Sequence, residues 1–128
     1  MLFAALRIAG AALIALASQP APAATVDGAT QSDVECVAAL SVAASEAEGE
    51  QLTGLAMITF YFIGRLDGRV PALDIESALA GEAPGLTESR VKALVTSCSA
   101  QYLKRANEMQ EVGKSLERRA REKSSTSS

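Results

Sequence analysis

The chain has 128 residues, with 12 Lys and Arg against 15 Asp and Glu for a net charge of −3, two cysteines, and no histidine or tryptophan. Without histidine, no serine has its usual activating base, and neither a glycine-rich phosphate loop nor a Cys/His metal spacing offers other chemistry. Composition and motif together give no catalytic residue, metal site or cofactor to point to, and the expectation is a protein that is not an enzyme.

The first element is a leader. Arg7 supplies one positive charge, Ile8 to Ala17 is uncharged and apolar, and Ser18-Gln19-Pro20 interrupts it before Ala21-Pro22-Ala23. That order matches a secretory signal peptide over residues 1–23, with small residues where a signal peptidase reads. The apolar core is far shorter than the ~20 residues needed to span a bilayer, and no cysteine follows it to carry a lipid. Export to the periplasm is therefore expected, with no transmembrane segment in the mature chain and no nucleic-acid partner. Removal of residues 1–23 leaves 105 residues, enough for one small domain.

Residues 24–31 read as a flexible linker, and Ser32-Asp33-Val34-Glu35 has the form of a capping box that opens a helix. Past it, Cys36, Val37, Leu40, Ala43 and Ala44 recur at helical spacing and make one apolar face, fading near Glu46–Gly49. The three carboxylates of Glu46-Ala47-Glu48-Gly49-Glu50 lack the later bidentate acid of a calcium loop, because Met57 stands at the twelfth position; an acidic, solvated turn is expected. A second helix is expected from Glu50 through Leu55, Met57, Ile58, Phe60, Tyr61, Phe62 and Ile63. Being apolar nearly all round, it reads as the central element of a bundle.

Gly64-Arg65-Leu66-Asp67-Gly68-Arg69 is expected to end that helix, and Pro71 cannot continue it. Arg65 and Arg69 are candidate contacts for an anion or a partner, or can pair with neighbouring acids. A short helix fits Asp74 to Ala80, closed by Gly81 and Pro84-Gly85, and Thr87 is a good cap for the last helix.

From Glu88 the pattern is the clearest in the chain. Val91, Leu94, Val95, Cys98, Tyr102, Met109, Val112 and Leu116 form one stripe, interrupted by Arg105. A single helix over 88–122 would be roughly 52 Å long at ~1.5 Å per residue, longer than a domain of this size, so it either overhangs or bends near Gly113. Arg118, Arg119 and Arg121 at its basic end suit the helix dipole and are further candidate contacts for a partner. Residues 123–128 read as a disordered tail. The helical domain is thus bounded at 32–122.

The charge is uneven. Residues 25–88 carry eleven acids and two arginines, and residues 89–128 carry nine bases and four acids. Complementation within the fold, the basic last helix against the acidic part, is the expected use of that asymmetry.

Cys36 and Cys98 both lie on inward apolar faces, so an exported chain should join them in a structural disulfide. The expected fold is all-α: a small antiparallel bundle of three long helices and one short one, stapled by Cys36–Cys98, with a long C-terminal helix.

That arrangement resembles small exported bacterial helical proteins with one disulfide, among them the periplasmic acid-stress chaperones, which expose apolar surface when acidified. The segment Phe60-Tyr61-Phe62-Ile63-Gly64-Arg65-Leu66-Asp67-Gly68 is similar to the aromatic-Gly-x-x-Asp segment of periplasmic immunity proteins. The lack of catalytic chemistry and the striped last helix lead to the expectation of a non-enzymatic protein that binds another protein, and an acid-stress chaperone is the alternative. A small-ligand carrier with a cavity lined by Met57, Phe60 and Ile63 is a third expectation. The partner is an unknown protein, or a second copy met through the C-terminal helix.

Overall fold

The computed structural model describes residues 26–127. They form α1 (Gly28–Ser45), α2 (Gly49–Arg69), α3 (Ile75–Glu82), a 3-10 turn at Ala83–Gly85, and α4 (Glu88–Thr126), with no strand among the described residues. The fold is an all-α bundle of three long helices and one short one, and Cys36 and Cys98 are bonded with their Cα atoms 5.8 Å apart. The leader read over residues 1–23 lies outside the described residues.

α1 begins four residues ahead of Ser32. Asp27 caps it, its carboxylate accepting the Thr30 N–H at 2.7 Å, so Gly28 to Gln31 are helical and not part of a linker. Capping satisfies one of the free N–H groups of a first turn, and Asp27 offers it earlier than the Ser32 box does. That leaves Asp33 and Glu35 free for tertiary pairing.

α1 and α2 form an antiparallel hairpin around Glu46–Glu48, and the backbone at Gly49 has φ +58°, a conformation that glycine adopts without steric cost. α1, not α2, is the central element. Eight of its residues are buried, from Thr30 to Leu40, against three in α2. Its small side chains Cys36, Ala38, Ala39, Ala43 and Ala44 let α2, α3 and α4 all approach it. The bulk of α2 is split: Leu55, Phe62 and Leu66 enter the core, while Met57 and Phe60 point out.

α2 also runs through Gly64 and Gly68, where the sequence pattern ends it. Each glycine costs about 1 kcal/mol of helix propensity, but Leu66 is buried and Arg65 and Arg69 are tied to α1, which holds the last turn. Val70 caps the end and Pro71 prevents continuation. Asp74 and Thr87 cap α3 and α4, accepting the Ser77 and Arg90 N–H groups, each at 3.2 Å.

α4 is one helix of 39 residues, about 58 Å long, continuous through Gly113 and ending at Thr126, so residues 123–126 are helical. Cys98 is its one buried residue, with Leu94 and Val95 partly buried on the core. Tyr102 meets Tyr61 of α2 edge to face at 5.7 Å. Beyond Ala106 the helix leaves the bundle, and of the residues from Asn107 to Ser127 all but Ser115 are exposed.

Candidate functional site: a helical arm and an uncovered helix face

Charge organises the open end of the hairpin, where the start of α1 meets the end of α2. Asp33 is 1 % exposed, and one of its carboxylate oxygens accepts Arg65 Nε at 3.0 Å and Arg69 Nη1 at 2.9 Å. The three residues lock α1 to α2, since a buried carboxylate requires such partners. Arg65 also lies over the Tyr61 and Phe62 rings, 5.5 and 5.4 Å from their centroids, and its Nη1 donates to the Tyr61 hydroxyl at 3.3 Å. Both arginines are thereby committed to the fold and do not form an open anion site. Asp67, beside them in sequence, faces solvent.

Complementation between the basic helix and the acidic part is narrower than composition suggests. Arg90 reaches Glu35 of α1 at 3.1 Å, the one described ion pair that joins α4 to another helix. The rest of the α4 pairs stay on that helix: Lys92–Glu88, Arg105–Glu108, Lys114–Glu111 and Arg121–Glu117. They are exposed and screened by solvent, enough to support a helix but not to fix its direction. Glu108 raises the Arg105 pKa through its hydrogen bond and its charge. At the helix starts, the Thr30 amide lowers the pKa of Asp27, and the Ser77 hydroxyl and amide lower that of Asp74.

The predicted stripe of α4 therefore divides. Its first half packs on the bundle. Its second half, Met109, Val112 and Leu116, is 52, 46 and 60 % exposed and continues in the same register, with Arg118, Arg119 and Arg121 just beyond. The repeat thus keeps its heptad-like period after leaving its own core and leaves an apolar strip exposed along the arm.

A second uncovered face lies on α2. Between Gln51 and Gly64 there is no charged residue, and its outer side presents Thr53, Met57 and Phe60, the last two 56 and 70 % exposed. Met57 and Phe60 thus do not line a cavity with Ile63. A cleft of about 780 Å³ lies elsewhere, between the C-terminal end of α1 and the start of α4, and is open and partly charged through Glu46, Glu88 and Lys92. No group of three Asp, Glu or Cys side chains among the described residues is placed to hold a metal ion. No helix among them is long and apolar enough to cross a membrane.

Sequence periodicity finds the arm but misses the α2 face, because apolar residues all round a helix read as burial on every side. The signal that marks it is spacing: Thr53, Met57, Phe60 and Gly64 share one side, and none of the core residues of α2 falls on it.

Comparison with known proteins finds no matching family model, no matching curated protein and no matching solved structure.

Proposed function

We propose that this is a non-enzymatic exported protein of the periplasm that acts by binding another protein through the C-terminal arm of α4. One observation carries the reading: Met109, Val112 and Leu116 extend the stripe that packs the same helix onto its own core, yet stay exposed among the described residues. The disulfide supports export, since a bonded pair of this kind persists in an oxidising compartment. The bundle then acts as a rigid base, and Arg118, Arg119 and Arg121 favour an acidic binding surface.

The test is a triple variant, Met109→Gln, Val112→Gln and Leu116→Gln, which keeps good helix formers at exposed positions. With helicity unchanged by circular dichroism, crosslinking and capture in the periplasm should lose at least tenfold of the bound protein. A protein that is a monomer by light scattering and captures nothing, or a triple variant that captures as well as native, overturns the reading.

An acid-stress chaperone is a second reading, favoured by the apolar side chains Met57 and Phe60 at the surface. Protection of a client from aggregation at about pH 3, where the carboxylates protonate, separates it from the first.

A further inference from the structure

We infer that the occupant of the arm is a second copy of this chain, with the arm of one copy lying antiparallel on the outer α2 face of the other. The inference rests on the reading of the arm as a docking element and names its partner. The two uncovered faces match residue for residue. Along α4 the stripe runs Met109, Val112, Leu116, Arg119, at steps of three, four and three; along α2, read backwards, Phe60, Met57, Thr53 and Glu50 repeat those steps.

Set antiparallel, Met109 meets Phe60, Val112 meets Met57, Leu116 meets Thr53, and Arg119 meets Glu50. Both helices cover about 15 Å between the first and last of these pairs, so the register holds along the contact. Arg119 and Glu50 are the charged pair of this register, and both side chains are exposed. The uneven charge of the chain, which among the described residues is joined across helices to α4 through Arg90 and Glu35 alone, is thereby used between copies.

Pairing α4 with α4 is worse. In parallel order it stacks Arg119 on Arg119, and antiparallel, with Val112 on Leu116, it sets Arg119 against Met109. Like charges or a charge on an apolar side chain disfavour both.

One such strip, roughly 15 Å by ~10 Å, is well below a standard interface, and the reciprocal pair of contacts remains at the small end. The association is therefore weak and reversible, and it weakens further as salt screens Glu50 from Arg119.

A charge swap tests the register. Variant one carries Arg119→Glu; variant two carries Glu50→Arg. Sedimentation velocity over a concentration series on the purified chain, with its N-terminus read by intact mass, should show native dimer, each variant alone at least tenfold weaker, and the two mixed in equal amounts restored as a heterodimer. Phe60→Gln, an exposed position that leaves the core intact, should weaken native self-association about tenfold by itself. A native chain that is a monomer throughout, or a dimer indifferent to Phe60→Gln and to both swaps, overturns the inference. Should that monomer still capture a different exported protein through Met109, Val112 and Leu116, the docking arm stands and only its occupant is wrong.

Discussion

Asp33 shows how one residue can change roles between sequence and fold. It lies inside Ser32-Asp33-Val34-Glu35, where Ser32 and Glu35 read as a capping box, yet its carboxylate is buried and holds Arg65 and Arg69 from the far end of α2. Asp33→Ala leaves two guanidinium groups beside the core without a partner. A fully buried pair broken in this way costs about 3–5 kcal/mol. Here both arginine side chains are 31 % exposed and can rehydrate, so the expected loss is about 2–3 kcal/mol. Urea unfolding of the variant measures it, and a loss under about 0.5 kcal/mol would show that the cluster contributes little. The local motif was legible; its use was not, because Asp27 supplies the cap first and the partners of Asp33 are 32 and 36 residues away along the chain.

Among the elements, α4 carries two different kinds of stability. Up to Tyr102 it is held by the core and by the bond at Cys98; beyond Ala106 it depends on propensity and on short-range pairs such as Lys114–Glu111 and Arg121–Glu117. A chain ending at Ala106 should therefore keep the bundle. The expected change is under about 1 kcal/mol, or less than roughly 4–8 °C in Tm for a domain of this size, measured by thermal unfolding at low concentration. A larger drop at a concentration where the native chain is monomeric would mean that the arm packs on its own bundle. Periodicity correctly gave this helix its start, its cap and its overhang. Its extension to Thr126 was missed because Lys123 to Ser128 has no apolar residue, although serine and threonine hydroxyls there bond back to carbonyls one turn earlier.

On the scale of the whole molecule, the disulfide is the dominant single constraint. It spans 62 residues, and closing a loop of that length stabilises by about 4 kcal/mol in the chain-entropy model. Cys36→Ala with Cys98→Ala should lower stability by about that much in urea, and hydrogen exchange should show α4 losing protection first, since Cys98 is its only buried residue. Equal loss of protection in all four helices would instead make the bundle one cooperative unit.

The amino-acid sequence by itself determined the all-α class, the stripe of α4, the cap at Thr87 and the pairing of Cys36 with Cys98. These follow from local periodicity and from two cysteines on inward faces, which one chain can display without folding. Only the tertiary structure decided which helix is central, where the charges pair, and which apolar residues stay uncovered. The physical reason is competition: α1, with small side chains, admits three neighbours, and α2 has more apolar surface than those contacts can cover. Met57 and Phe60 are what remains outside, and periodicity alone cannot distinguish a residue that is buried from one that is still waiting for a partner.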